Sequence, residues 1–166
     1  MNNSYSNYKN YNVYKGYKGL PFYQQSEIIY DFTVDFVKRY VRHGSRTVDQ
    51  MEQAARSGKQ NIAEGYMQQS IEGKLKLLKV SRGSLEELLQ DYMDYLRQHG
   101  TPSLGPEGSQ IPTPEDACNA MISLINQTNR LLDQKIRWVQ EDFVKTGGFR
   151  ENLFRKRMEY KKQKRL

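Results

Sequence analysis

Four carboxylates stand close together near the middle of the chain, at Glu86, Glu87, Asp91 and Asp94. In a helix, several side chains at this spacing share one face, and helical bundles can bind a pair of metal ions through such carboxylates. That kind of site also needs Glu-x-x-His pairs facing inward, and neither His43 nor His99 stands in one. We therefore interpret the carboxylates as a solvated helix face, and we expect no metal ion and no cofactor.

The single cysteine and the two histidines can each be explained by a structural role. Cys118 is the only cysteine, and neither His nor Asp stands directly beside it. Its predicted place in the first turn of a helix could lower the thiol pKa, but we favour a packing role. His43 and His99 each precede a glycine at a predicted helix end, where interaction with the helix dipole suffices. The chain has no GxGxxG or GxxxxGK[ST] phosphate loop, so we predict that it is not an enzyme.

Positive charge is concentrated at the two ends of the chain. Residues 1–20 hold three lysines and no acid, and residues 146–166 hold eight basic residues against two acidic ones. These segments contribute +3 and +6 to a net charge of +7, so residues 21–145 carry −2. Cationic ends beside a nearly neutral middle favour an anionic partner such as nucleic acid.

The central stretch 45–100 contains two long amphipathic segments, joined around Gly65 to Gly73. Apolar or small residues recur there at steps of three and four, at Val48, Met51, Ala55, Gly58, Ile62 and Gly65, and then at Leu75, Leu78, Leu85, Leu89, Tyr92 and Leu96. This spacing is typical of helices packed in a bundle. Glycine costs about 1 kcal/mol inside a helix, so Gly58 and Gly83 predict a close approach of neighbouring helices, with a kink as the alternative.

Two further segments complete the predicted fold, an all-α, up-down antiparallel four-helix bundle. Its helices are predicted at residues 24–43, 46–69, 71–99 and 114–145. Ser45 or Thr47 is suited to cap the second helix, and Thr113 with Pro114 to begin the fourth. The predicted core face of the fourth helix comprises Ala117, Met121, Leu124, Thr128, Leu131 and Trp138, and it is widened by Ile125, Leu132, Ile136 and Val139.

The ends of the chain are predicted to lie outside this bundle. We expect a disordered tail rich in Tyr, Asn and Lys over residues 1–20, the bundle over 21–145, and a basic C-terminal suffix over 146–166. The suffix is predicted to form a short basic helix, with Leu153, Phe154 and Met158 as its apolar contacts. Tyrosines recur every third residue from Tyr5 to Tyr17; we interpret the tail as solvated, with stacking on nucleic-acid bases as the alternative.

Three groups of residues in the central helices form a recognisable pattern. They are Ala54, Ala55 and Ser57, then Asn61, Ile62, Ala63, Glu64 and Gly65, and then Gly83, Ser84, Leu85, Glu87 and Leu88. Together they resemble the four-helix-bundle family of the 23S rRNA intervening-sequence proteins, which includes the accessory variability protein (Avd) of diversity-generating retroelements. Segments 125–134 and 147–157 resemble a variant of that family with an additional C-terminal suffix.

The resemblance implies a bacterial protein that assembles into a barrel-like homopentamer. It also implies a basic surface for nucleic acid, as in the retroelement members of the family. The chain departs from the pattern at Glu52 and Gln53, where many relatives have basic residues.

Basic residues of the central helices and the suffix are the candidates for binding nucleic acid. They are Arg56, Lys59, Lys74, Lys76, Lys79 and Arg82 in the helices, and Arg150, Arg155, Lys156, Arg157, Lys161, Lys162, Lys164 and Arg165 in the suffix. The helical group could form a basic strip or could consist of ordinary solvent-facing side chains. Arg82 interrupts an apolar seam, and a buried unpaired guanidinium is costly. We expect Arg82 to pair with an acid across the bundle, with Glu64 as a candidate, or to face a subunit interface or pore.

No apolar run approaches the length of a membrane span, and the N-terminus lacks the apolar region of a secretory signal. We therefore expect no membrane association and a cytoplasmic location. The surplus of aromatic residues favours a homo-oligomer with one repeated heterologous interface. The sequence thus predicts a non-enzymatic oligomeric bundle that binds RNA, DNA or a nucleic-acid-processing enzyme such as a reverse transcriptase. The alternative is a protein–protein interaction scaffold with no nucleic-acid role.

Overall fold

The computed structural model describes residues 16–99 and 113–164, and every regular element within these ranges is helical. A 3-10 turn at Tyr17–Gly19 precedes five α-helices, α1 Pro21–Tyr40, α2 Arg46–Met67, α3 Ile71–His99, α4 Pro114–Thr146 and α5 Phe149–Gln163. The prediction of an all-α helical bundle is confirmed. Residues 1–15 of the predicted tail and the connection 100–112 lie outside the described residues.

Local sequence signals determine where the helices begin. Pro21 occupies the first turn of α1, where a backbone N–H would have no partner within the helix. The helix therefore starts three residues before the predicted residue 24. Ser45 caps α2 by accepting a hydrogen bond of 3.2 Å from the Thr47 N–H. Thr113 caps α4 through reciprocal hydrogen bonds with Asp116.

The first four helices surround one core. Helix α1 packs against α2 and α4, and α3 packs against the same two helices. Gly65, late in α2, lies beside Leu77, whereas the earlier Gly58 lies beside Leu85, so α2 and α3 are antiparallel. The up-down order of all four helices stays a prediction. Tyr17 packs edge-on against Tyr23 with their ring centres 4.9 Å apart, so contacts with the bundle include a residue before the predicted boundary at residue 20.

Most residues of the family-like pattern build the contact between α2 and α3. Seven of them are buried, namely Ala54, Ala55, Ile62, Gly65, Ser84, Leu85 and Leu88. The Ser57 and Ser84 hydroxyls share a hydrogen bond of 2.9 Å across the two helices, and Asn61 Nδ2 donates one of 2.9 Å to the Ser57 carbonyl oxygen. Glu64, Gly83 and Glu87 are exposed.

The two glycines predicted to lie at a close approach of helices, Gly58 and Gly83, have different surroundings. A Cβ on Gly58 would lie 2.7 Å from Cδ2 of Leu85, which is well inside van der Waals contact. This confirms the predicted close approach at Gly58. Gly83 is exposed, and a Cβ there would meet no atom within 4 Å among the described residues. The predicted close approach at Gly83 is therefore wrong.

The predicted core face of α4 is wrong at its C-terminal end. The buried residues of α4 are Ala117, Cys118, Met121, Ile125, Thr128, Asn129, Leu132, Ile136 and Val139. Trp138, which the heptad spacing places in the core, is 57% exposed. A strict heptad pattern drifts about 20° per repeat against a straight α-helix. Over the three repeats from Ala117 this drift turns Trp138 out of the core, whereas Val139, predicted to widen the core face, is buried.

Among the described residues, no helix combines the length and the apolar character that crossing a bilayer requires.

Candidate nucleic-acid interface

Helix α5 displays most of the predicted basic residues. Gly147 has a φ of 76° and ends α4, a backbone conformation that glycine adopts without strain. The Glu151 carboxylate then accepts a hydrogen bond of 3.1 Å from the Gly148 N–H, and α5 begins. The helix has no buried residue, and its exposed basic side chains are Arg150, Arg155, Lys156, Arg157, Lys161 and Lys162, with Lys164 directly after it. The predicted Arg165 lies outside the described residues.

Apolar side chains of α5 are exposed as well, contrary to expectation. Leu153, Phe154 and Met158 were expected to make apolar contacts, but they are 56%, 65% and 42% exposed. Phe149 and Tyr160 are exposed to a similar degree. The prediction is wrong because it assumed that α5 packs on the bundle. An exposed helix with both basic and aromatic side chains can contact phosphates and bases together.

A second group of basic and aromatic residues lies at the end of the bundle from which α5 starts. Lys74 Nζ lies 4.8 Å from the centre of the Tyr66 ring, and Lys135 Nζ lies 3.8 Å from the centre of the Trp138 ring. The pKa of Lys135 is lowered, first by burial and then by the nearby charge of Lys74. An anion bound beside these two lysines would offset the repulsion between their charges.

This group contains two residues that the sequence analysis did not assign to a site, Lys135 and Trp138. The signal that could have found them is their spacing, because residues i and i+3 on a helix are neighbours on its surface. The same end of the bundle is where Gly148 packs beside the Glu72 and Phe143 side chains. Lys74, Lys135, Trp138 and the start of α5 therefore lie at one end of the molecule, which we call the basic end.

The other predicted basic residues do not all point in one direction. Lys59 faces α1, with its Nζ 4.4 Å from the centre of the Tyr30 ring, whereas Lys74 faces Tyr66. Arg56, Lys76 and Lys79 are exposed. The predicted strip is thus divided among several faces. Of its members, Lys74 contributes to lowering the pKa of Lys135.

Arg82 is neutralised by carboxylates within the bundle. Its Nη1 lies 2.7 Å from Glu86 Oε2, and its Nε lies 3.2 Å from Asp133 Oδ1 on α4. Burial alone would lower the Arg82 pKa, but the hydrogen bonds with Glu86 and Asp133 raise it. The expectation of an acid across the bundle is confirmed by Asp133, but Glu64 as that acid is wrong. With two carboxylates bound, Arg82 offers little charge to a phosphate.

The four carboxylates of α3 have different surroundings. Glu86 binds Arg82, and Asp94 pairs with Arg97 at 2.9 Å. Glu87 and Asp91, by contrast, line a groove of about 670 Å³ between α2 and α3, together with Asp49. The pKa of Asp91 is raised by burial and then by repulsion from Asp94 and Glu87. No group of three or more potential metal ligands is found among the described residues.

The cysteine and the histidines lie in ordinary structural positions. Cys118 is buried, and burial, with a smaller contribution from Glu115, raises the pKa of its thiol to about 12. The helix N-terminus therefore does not activate the thiol. His99 stacks on Tyr95 with their ring centres 4.3 Å apart, and His43 is exposed.

No protein-family model matches the chain, and no curated protein matches it. The family resemblance therefore stays a prediction that depends on the residues quoted for it.

Proposed function

We propose that this protein is a non-enzymatic helical bundle that binds nucleic acid through its basic end. The observation that carries the proposal is α5, a fifteen-residue helix with no buried residue that displays basic and aromatic side chains together. Phosphates bind such cations with the release of counterions, and aromatic rings stack on bases. Lys74, Lys135 and Trp138 extend this surface onto the bundle itself.

The family resemblance adds further elements to the proposal. It favours a homo-oligomer, and in particular a homopentamer, located in a bacterial cytoplasm. It also favours a nucleic-acid-processing enzyme such as a reverse transcriptase as a protein partner. The oligomeric part fails if light scattering at micromolar concentration gives the mass of a single 19.5 kDa chain.

The nucleic-acid part is tested by fluorescence anisotropy with labelled single-stranded RNA, single-stranded DNA and duplex DNA of mixed sequence. We expect affinity to fall steeply with salt, with log K declining by about 0.7 to 0.9 per phosphate contact for each unit of log salt. The triple variant Arg155→Gln, Lys156→Gln and Arg157→Gln is expected to bind at least about tenfold more weakly and with a shallower salt slope.

A matched control removes the same charge from elsewhere. Lys38, Arg39 and Arg42 are exposed at the end of α1 and just beyond it, at the opposite end of the bundle. Replacing these three with Gln is expected to leave most of the affinity intact. Equal losses in both triple variants would show a general charge effect and would remove α5 from the proposal.

A protein–protein scaffold is the second candidate function. The exposed apolar residues Phe149, Leu153 and Phe154 favour it, because such residues form the centres of protein interfaces. A partner retained at high salt, together with no shift of RNA or DNA by the purified protein, would favour this function over the first.

A further inference from the structure

The groove between α2 and α3 has more acidic than basic residues in its lining. Its lining includes the carboxylates of Asp49, Glu87 and Asp91, with Arg46 as the one basic residue. Within the part of the chain that the structure describes, none of these three acids forms an ion pair. The raised pKa of Asp91, caused by burial, Asp94 and Glu87, reflects this crowding. A cationic partner would relieve it.

The shape of the groove suits a helix. Ala54, Ser57 and Ser84 lie in its lining, and such small side chains permit a close approach by another backbone. A second opening of about 340 Å³ continues it toward His99, and the two share Gln50 and Asp91. From Ser84 to His99, the combined groove follows α3 for fifteen residues, about 22 Å. Helix α5 has fifteen residues and therefore the same length.

Helix α5 also has the side chains that such a groove would accept. Phe149, Leu153 and Tyr160 lie on one line of the helix, at steps of four and seven, and Lys156 lies on the same line. All of these side chains are exposed. Arg157 and Lys164 lie beside this line. The second opening, which Arg42 and Asp94 also line, offers Val41 and Tyr95 to the apolar residues, and the first offers carboxylates to the basic ones.

The groove cannot be filled by α5 of the same chain. Gly148, just before α5, packs beside Glu72 at the start of α3. From Glu72, the combined groove begins about 18 Å along α3 and ends about 40 Å along it. A helix of about 22 Å that starts at Glu72 would reach only its nearer edge.

We infer that the groove between α2 and α3 binds helix α5 of a second copy of this chain. The contact is heterologous, because it joins the basic end of one copy to the acidic groove of the next. This interface rests on the oligomeric part of the proposed function and deepens it, and it uses the same helix α5 that is proposed to bind nucleic acid.

The test compares oligomer mass by sedimentation velocity and light scattering, at about 50 µM protein, in 50 mM and 500 mM salt. Wild type is expected to associate in low salt and to dissociate largely in high salt, because exposed charge pairs are screened. The double variant Glu87→Lys and Asp91→Lys is expected to be monomeric. The control variant Asp31→Lys and Asp35→Lys makes the same charge change at exposed positions on α1 and is expected to associate as wild type does.

A complementary pair excludes a folding defect as the cause. The variant Arg155→Glu and Lys156→Glu is expected to be monomeric alone. Mixed with the Glu87→Lys and Asp91→Lys variant, it is expected to form complexes, because a basic groove then meets an acidic helix. An oligomer that persists in the groove variant, or a mixture that stays monomeric, overturns this interface and leaves the oligomeric function standing. A wild-type protein that is monomeric in low salt overturns both the interface and the oligomeric function. Nucleic-acid binding is tested by the separate anisotropy measurement.

Discussion

The hydroxyl of Ser81 on α3 donates a hydrogen bond of 2.6 Å to the backbone carbonyl oxygen of Gly58 on α2. Both residues are buried. The Leu85 side chain lies one turn further along α3, over the position that a Cβ on Gly58 would occupy. A hydrogen bond and a steric contact therefore set the separation of α2 and α3 at the same point.

Gly58→Ala is expected to destabilise the protein. The new methyl group would lie 2.7 Å from Cδ2 and 2.9 Å from Cγ of Leu85, and Leu85 is fully buried. Overpacking of this kind costs about 1 to 3 kcal/mol, which exceeds the gain of up to about 1 kcal/mol from replacing a helical glycine. Urea denaturation measures the free energy of unfolding, which should be lower for Gly58→Ala than for wild type.

Gly83→Ala is the matched control for that substitution. It makes the same chemical change on an exposed helix position with open space around it. We expect a gain of about 0.5 to 1 kcal/mol. If both variants shift the free energy of unfolding in the same direction, then the contact between Gly58 and Leu85 is not tight.

Replacing Arg82 with Met is expected to destabilise more than replacing Asp133 with Asn. The first change leaves Glu86 and Asp133 facing each other without the cation that both bind. The second removes only one partner of a partly exposed pair, worth up to about 1 kcal/mol. The double variant should lose less than the sum of both, and a double-mutant cycle by thermal denaturation measures the difference. Strict additivity would contradict the coupling.

Asp91→Asn is expected to stabilise the protein at neutral pH. The folded pKa of Asp91 is raised by burial and by Asp94 and Glu87, so the folded state holds its proton more tightly than the unfolded state. Stability from this group is therefore present at low pH and is lost as pH rises through the carboxyl range. The advantage of the variant should vanish in acid and grow toward neutral pH, as shown by urea denaturation at several pH values. A constant difference would contradict this origin, and Asp31→Asn on exposed α1 is the control.

The Cys118 thiol is expected to weaken the fold in alkaline solution. Its folded pKa is raised to about 12 by burial and by Glu115, from an ordinary value of 9.0. Above that ordinary value the unfolded thiol ionises while the folded one stays protonated, so stability falls as pH rises. The loss approaches about 1.4 kcal/mol per pH unit. Wild type should lose more stability than Cys118→Ala between pH 9 and 10, and parallel profiles would contradict the prediction.

Trp138 is expected to report nucleic-acid binding directly. It is the only tryptophan, and its exposed ring lies under the Lys135 ammonium group at the basic end. Stacking of a base on this ring should quench its fluorescence when RNA is added, and added salt should reverse the quenching. Quenching that is equally strong in the Arg155, Lys156 and Arg157 triple variant would show that Trp138 binds independently of α5.

The helices were largely predictable from the sequence because their signals are local. Helix α3 has the predicted bounds, Ile71–His99, since its apolar spacing runs along the whole helix with a single interruption at Arg82. The residue types predict the cap at Thr113, and they predict the cap of α2 as Ser45 or Thr47, of which the structure shows Ser45. The predicted start of α1 at residue 24 is three residues too late, because proline is well suited to the first turn of a helix and Pro21 occupies that turn.

Features that depend on three-dimensional neighbours were harder to predict. The partners of Arg82 illustrate this, because Glu86 carries a local signal at i+4, whereas Asp133 is 51 residues away. Nothing in the sequence ranks Asp133 above Glu64. Trp138 was misplaced because a small angular drift accumulates along a 33-residue helix. The acidic groove requires the juxtaposition of Asp49 with Glu87 and Asp91, which only the packing of α2 on α3 provides.

Because the groove and α5 lie toward opposite ends of one bundle, an oligomer built through their contact could continue to add chains. Each chain that joins covers one groove and one helix but brings another of each, so a linear string always has two unsatisfied ends. Such a linear oligomer would stop growing when it closes into a ring, or when a polyanion takes the place of the acidic groove on the terminal α5. A nucleic acid bound there would act as a terminator, so the length of the string would fall as the ligand concentration rises.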